Sequence, residues 1–317
     1  MPLGNALLEL TASSEQILFE EAQEFEAFLN YLWESYSFDF TGYKRPSLMR
    51  RVQQRMEVIA IASYSDYINY LKKSPEEATL LFESLPVNCT AFFRDQQVWD
   101  EIATEIIPQI IANKSSDELI KVWSAGCATG EEAYTLAILL IEALGIEQFK
   151  QRVKIYATDA SQEAIYQARQ GSYSRNQVVG IPPGLLAKYF EQIDQRYSFR
   201  QDLRRRIIFA QSNLLQDAPI SKVDLLVCRN TLIYFNLEGQ LRALVRLHFG
   251  LRDSGFLVLG RSESPTATTG SALFSPVNQQ QRIFTRVPKA CTPKLFLKAF
   301  HQQKYKLPTQ GIYSVAS

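Results

Sequence analysis

Two glycines and two adjacent carboxylates stand where a strand-like run meets a helix-like one, in "VWSAGCATGEEAYTLAILL", Val122 to Leu140. Gly126 and Gly130 permit a backbone turn that a side chain would block. A helix starting near Glu131 offers free N–H groups at the C-terminal edge of a sheet, so a small molecule can lie there. The G-x-x-x-G spacing differs from the G-x-G-x-x-G of a dinucleotide cradle, and Glu131 and Glu132 would repel a phosphate at the helix start. Carboxylates suit a ligand with hydroxyls or an ammonium group, a description that S-adenosylmethionine meets. The next strand-like run ends in "YATDAS", which puts Asp159 where an acidic residue accepts bonds from ribose hydroxyls. Taken alone, the turn can equally be a βα junction that closes without a ligand.

The elements that must position these residues fall into two patterns. From Glu20 to about Pro86, apolar spacing in "FEAFLNYLWESY", "SLMRRVQQRMEVIAI" and "SYSDYINYLKKSPEEATLLFESL" is helical, with Ser63 and Asp66 as cap and first-turn residues of the third helix. After Arg94, "LIKVWSA", "VKIYATD", "RRIIFAQ", "VDLLVCR", "GFLVLGR" and "RIFTRV" alternate with helical stretches, as in a parallel sheet covered on both faces. Between Tyr173 and Phe209 the alternation breaks at a Pro-Pro-Gly turn and a polar "RYSFR", which suggests an inserted subdomain. The expected organisation is a flexible N-terminus over 1–19, a helical domain over 20–87, an α/β domain over 88–287 with its insert at about 173–209, and a tail or linker over 288–317.

The composition narrows the function classes. A chain of 317 residues, 46% hydrophobic and 21% charged, can bury a sizeable core, and a net charge of +1 gives no whole-protein attraction to nucleic acid. Four scattered cysteines and two histidines form no metal-ligand spacing, so no metal is expected, and the thiols are expected to be reduced. No apolar run reaches the roughly 18 to 20 residues of a membrane helix, and "MPLGNALLEL" lacks a signal-peptide pattern. A cytoplasmic location is expected. Cys127 and Cys228 read as packing residues and His248 as a packed or solvated helix residue.

Several motifs in order, "NCTAFFRD", "VWSAGCATGEEAYTLA", "ATDAS" with "ARQGSYS", "SNLLQDAPISKVDLLVCRNTLIYFN" and "GFLVLGRSES", resemble the CheR-type chemotaxis methyltransferases. The resemblance covers about Glu20 to Val287, and its wording is nearest to the methyltransferase part of CheB–CheR fusion proteins. It implies a Rossmann-like methyltransferase sheet with a small inserted subdomain, preceded by an all-α domain. It also implies that S-adenosylmethionine methylates glutamates of a chemoreceptor, leaving S-adenosylhomocysteine. By the same resemblance Asn88, Thr90 and Arg94 contact the cofactor or the incoming glutamate, Glu132 or Glu131 and Asp159 its methionine and ribose parts, and Asn213 and Leu214 the adenine. Arg229 and Asn230 lie near the methyl donor, and Tyr234 points to the reaction centre. Ala133, Thr135 and Ser212 depart from the family's usual proline, serine and histidine. Members that dock on a receptor's C-terminal pentapeptide carry a glycine-containing loop in the insert, which "YFEQIDQRYSFRQDL" lacks, so independence of that tether is expected.

These residue types suit esterification. A glutamate nucleophile is ionised at neutral pH and needs no general base. The site must then hold oxygen, methyl carbon and sulfur in line, a positioning effect worth about 7 to 11 kcal/mol. Arg94 can orient a carboxylate and Tyr234 can offer a hydrogen bond and an aromatic face. Arg51 and Arg55, flanking the apolar Leu48–Val52–Met56–Ile59 face with Lys44 and Arg45 nearby, are expected to steer an acidic receptor helix. Alternative readings are a non-catalytic module that senses S-adenosylmethionine or S-adenosylhomocysteine, and a methyltransferase for a small carboxylic acid.

Overall fold

The computed structural model describes residues 3–36, 38–85, 90–265 and 273–288, with side chains of the first helix described from Glu20 onward. Asn88 and the tail beyond residue 288 lie outside the described residues. The chain divides into two compact units, one ending at Leu85 and the other containing all later described residues.

The first unit is four helices: α1 (Leu3–Tyr36), α2 (Arg45–Val58), α3 (Tyr64–Lys73) and α4 (Pro75–Ser84). Helix α1 begins at Leu3, ahead of the expected start near Glu20, so the segment read as flexible has helical backbone. "NALLELTASSEQILF" offers no proline or glycine to stop it. Phe25, Phe28, Leu29 and Leu32 follow helical spacing and are buried against Leu48, Val52 and Met56 of α2 and Tyr64, Tyr67 and Leu71 of α3. Ser63 caps α3, its hydroxyl accepting the Asp66 N–H at 3.1 Å.

In the second unit, α5 (Gln96–Glu101) continues through a π-turn (Ile102–Ile106) into α6 (Ile107–Ala112). Then follow β1 (Ile120–Ala125), α7 (Glu131–Leu144), α8 (Ile146–Arg152), β2 (Val153–Asp159) and α9 (Gln162–Gln170). The insert is β3 (Ser172–Ser174), α10 (Pro183–Tyr189), β4 (Phe190–Ile193), β5 (Arg196–Phe199) and α11 (Gln201–Arg204). The main sheet resumes with β6 (Ile207–Gln211), β7 (Val223–Cys228), α12 (Leu237–Gly250), β8 (Leu251–Leu259), β9 (Phe274–Asn278) and β10 (Ile283–Arg286).

The main sheet has the order β6-β2-β1-β7-β8-β10-β9, and the insert forms its own antiparallel sheet β3-β5-β4. Strands β6, β2, β1, β7 and β8 are parallel, while β10 runs antiparallel to both β8 and β9. The runs of β-branched residues read from the sequence are β1, β2, β6, β7, β8 and β10. Strand β9, "FSPVN", carries a proline and alternates poorly, so its pattern gave no signal. The chain winds outward from β1 to β2 and β6, then returns to β7 on the other side of β1. That reversal opens a crevice beyond the C-terminal ends of β1 and β7.

Candidate functional site

Four strand ends meet at this crevice, and each delivers residues singled out from sequence. After β1, Gly126 adopts φ +81° and donates its N–H to the Thr158 carbonyl at 2.7 Å. A Cβ there would lie 2.2 Å from Thr231 Oγ1, so only glycine lets the loop after β7 close onto the β1 turn. At the end of β2, Asp159 shapes the same turn: Oδ2 accepts the Ala128 N–H and Oδ1 the Ser161 N–H, both at 2.9 Å. The Ser212 N–H donates to the Asp159 carbonyl at 2.8 Å, which brings the end of β6 alongside.

Burial governs the acids. Glu131 and Glu132 open α7, yet they are only 2% and 7% exposed. Thr129 Oγ1 donates to Glu131 at 2.7 Å and Ser124 Oγ to Glu132 at 2.8 Å. Desolvation pushes the carboxyls of Glu131, Glu132 and Asp159 above their ordinary range, and the Arg229 guanidinium, 3.8 Å from Glu132, offsets this only in part. Three acids held together with so little cationic partnership are suited to a cation or to hydroxyl donors.

Arginines face Glu132. Arg229, after β7, is 3% exposed at its side chain and donates from Nη2 to Asp95 Oδ2 at 2.6 Å. Its guanidinium carbon lies 5.2 Å from the centre of the Trp99 ring, and its buried Nε has no hydrogen-bond partner. Trp99 also donates its indole N–H to the Arg94 carbonyl at 2.9 Å. Arg94 is half-buried, and its positive charge is felt by Glu132. Thr135 ties this segment to α7, its Oγ1 accepting the Phe93 N–H at 3.3 Å and donating to the Glu131 carbonyl at 2.8 Å. Left-handed backbone is uncommon outside glycine, and here Phe93, Asp95, Ala128 and Asn230 adopt φ of 52°, 61°, 45° and 57°. Such conformations concentrate where surroundings fix a functional loop.

Asn213 is buried but serves its own turn: its Oδ1 accepts the Leu215 N–H at 2.9 Å, and its Nδ2 donates to Gln216 at 2.7 Å. Leu214 and Thr90 are half-buried. Tyr234, also half-buried, closes the short 3-10 turn Leu232–Tyr234. Cys127 and Cys228 are buried with their thiols pushed up by desolvation, and His248 is held to the Val287 carbonyl at 2.9 Å with its basicity lowered by burial.

Sequence reasoning missed Glu263. It is 4% exposed, and each carboxylate oxygen accepts two N–H groups. Oε2 takes Gly260 at 2.6 Å and Asn230 at 3.0 Å, and Oε1 takes Leu232 at 2.7 Å and Ile233 at 3.3 Å. It thereby fixes the loop from Asn230 to Tyr234. The only signal in sequence was its place in "GRSES".

The basic surface expected on α2 is not free. Arg55 grips Glu77 through Nε at 2.7 Å and Nη2 at 2.6 Å, and Arg51 Nη1 donates to the Ser84 carbonyl at 2.8 Å. Arg45 pairs with Glu26 and donates to the Phe40 carbonyl at 2.8 Å. Lys44 and Arg50 remain exposed. Of the two arginines read as receptor-steering groups, Arg55 is thus neutralised by Glu77 on α4, whereas half-buried Arg51 meets only a neutral carbonyl and keeps its charge.

Residues 88–282 match the family description "CheR methyltransferase, SAM binding domain", and residues 23–85 match "CheR methyltransferase, all-alpha domain". The chain is 30% identical over 249 residues to the chemotaxis protein methyltransferase of Borreliella burgdorferi, covering 76% of this chain and 88% of that protein. Identity to chemotaxis protein methyltransferase 2 of Vibrio cholerae is 32% over 248 residues, with coverage of 76% and 85%. An uncharacterized 104.1 kDa protein of Rhodobacter capsulatus is 35% identical over 255 residues, which is 80% of this chain but only 27% of that relative's length. The chain belongs to the CheR family of chemotaxis methyltransferases, and its larger unit is that family's S-adenosylmethionine-binding domain.

Proposed function

We propose that the protein transfers a methyl group from S-adenosylmethionine to glutamate side chains of chemoreceptor cytoplasmic domains, giving glutamate methyl esters and S-adenosylhomocysteine. The carrying observation is the crevice where buried Glu131 and Glu132 and half-buried Asp159 gather at the β1 turn, with Glu132 facing the charges of Arg229 and Arg94. The donor set fits the cofactor: Glu131 or Glu132 would take the ammonium group, Asp159 the ribose hydroxyls, and the loop at Asn213 and Leu214 the adenine. S-adenosylmethionine supplies an electrophilic methyl carbon on a sulfonium. The protein's own residues orient the other reactant. Arg94 offers a fork of donors to a carboxylate, and the Glu263-held turn carries Tyr234 beside the Arg229–Asn230 loop. No general base is required, since the nucleophile is ionised at neutral pH.

The strands β4 and β5 are joined by Asp194 and Gln195 alone, with Asp194 at φ 53°. So tight a turn supports action without a receptor pentapeptide tether. The 104.1 kDa relative, of which the chain spans about a quarter, is in keeping with the methyltransferase part of a larger fusion. Among the described residues no helix is long and apolar enough to cross a membrane, and a cytoplasmic site of action follows from the substrate.

The test is incubation with methyl-labelled S-adenosylmethionine and a chemoreceptor cytoplasmic fragment. Base-labile label should be released as methanol, and Arg94→Ala should abolish the release. Tight cofactor binding by calorimetry with no release from the unaltered protein would favour the non-catalytic sensor instead.

A further inference from the structure

With Arg55 neutralised by Glu77 inside the helical unit, positive charge beside the crevice itself becomes the more informative guide to how an acidic substrate is met. A polar groove of ≈ 570 Å³ is lined by Gln97, Arg261, Gln279, Gln280, Gln281 and Arg282. None of these side chains is a carboxylate. Gln97 lies on α5, Arg261 follows β8, and the other four form the turn between β9 and β10. Because β10 runs antiparallel to β8, with Ile283 opposite Val258, that turn sits beside the C-terminal end of β8. The Leu259 N–H donates to the Arg282 carbonyl at 3.0 Å there. The groove therefore opens on the same sheet edge as the crevice.

A line of alternating charges joins the two. Arg261, 66% exposed at its side chain, holds Nε 3.8 Å from Asp95 Oδ1. Asp95 Oδ2 takes Arg229 Nη2 at 2.6 Å, and Arg229 Nη1 is 3.8 Å from Glu132 Oε2. At 3.8 Å Asp95 does not saturate Arg261, whose fork can take a second carboxylate. The glutamine amides add neutral donors that do not repel an anion.

We infer that this groove docks the acidic flank of the methyl-accepting receptor segment, with Arg261 and Arg282 as its charged anchors. The inference rests on the reading of glutamate methylation above. A segment that presents glutamates is anionic, and a groove of guanidiniums and amides beside the reacting edge complements it.

Steady-state methylation of a chemoreceptor cytoplasmic fragment across a range of salt concentrations tests it. Arg261→Glu should raise KM for the fragment about tenfold and flatten the salt dependence of kcat/KM. Cofactor affinity by calorimetry should stay within about twofold, since none of the residues assigned above to the cofactor lines the groove. Gln280→Lys, at an exposed position, should lower KM about threefold and steepen the salt dependence, a gain that a damaged fold cannot mimic. Unchanged KM and salt dependence in both variants would overturn the inference. So would a KM increase in Arg261→Glu matched by an equal loss of cofactor affinity, which would make Arg261 a support of Asp95. Methyl transfer by the unaltered protein with unresponsive variants overturns the groove alone, whereas no transfer by the unaltered protein overturns the functional reading and the groove with it.

Discussion

The helical unit and the crevice of the α/β unit both bury acids, and they treat them in opposite ways. In the helical unit Glu77, 4% exposed at its side chain, receives the Arg55 fork and the Tyr67 hydroxyl at 2.8 Å. Burial pushes its carboxyl up, but the Arg55 and Tyr67 hydrogen bonds outweigh burial and hold it below the ordinary range. In the crevice, desolvation wins at Glu131, Glu132 and Asp159, and all three carboxyls are raised. An acid completed by its own chain holds structure together. Acids that the chain leaves under-compensated are poised for a ligand.

The comparison breaks most visibly in stability. Arg55→Ala should cost the helical unit about 3 kcal/mol by leaving Glu77 buried and uncompensated, read by urea unfolding. Arg55→Met with Glu77→Leu should recover most of that loss, because removing both partners also removes the desolvation penalty. Glu132→Gln should do the reverse: stability of the ligand-free protein unchanged or higher, and S-adenosylmethionine affinity weaker by about 2 kcal/mol, some 30-fold in Kd. Equal destabilisation by Arg55→Ala and Glu132→Gln would erase the distinction.

Acid sharpens it further. Raised carboxyls bind protons above their ordinary values of 4.5 and 3.8, so their contribution to stability is present at low pH and lost as pH rises through that window. A cationic ligand favours the ionised form, so its affinity should fall as pH is lowered from about 7 to about 5, and Glu132→Gln should flatten the slope. Glu77 has the opposite sign: its stabilisation is present above about 4.5 and lost as pH falls through its lowered value. Calorimetric titrations and urea unfolding across this range check both. The smallest effect is expected at Glu263, where Gln can satisfy only one of the two pairs of N–H groups. Loosening the Asn230–Tyr234 turn by about 1 kcal/mol should lower kcat about fivefold with cofactor affinity little changed.

Much of this was legible because the signals are local. The β1 turn declared itself through Gly126 and Gly130, which the backbone needs at φ +81° and +95°. Strands β1 and β7 are apolar runs buried on both faces, so their end residues, including Arg229, could be located by pattern. What escaped was set by long-range pairing. Arg55 looks like a surface charge until a glutamate on another helix reaches it, and no periodicity foretells that contact. Glu263 reads as one more polar loop residue, and only the folded chain brings four backbone N–H groups to it. Strand β9 contains a proline that its edge position tolerates, so local propensity argued against a strand there.

Trp99 gives the site a built-in optical reporter. Its indole N–H is fixed to the Arg94 carbonyl, and its ring lies beneath the Arg229 guanidinium. Of the chain's three tryptophans, Trp33 belongs to the helical unit, and Trp123 is anchored by Thr158 at 2.9 Å on the strand leading into the Gly126 turn. A ligand that shifts either arginine changes the electric field across the Trp99 ring, so intrinsic fluorescence should follow filling of the crevice without any attached label.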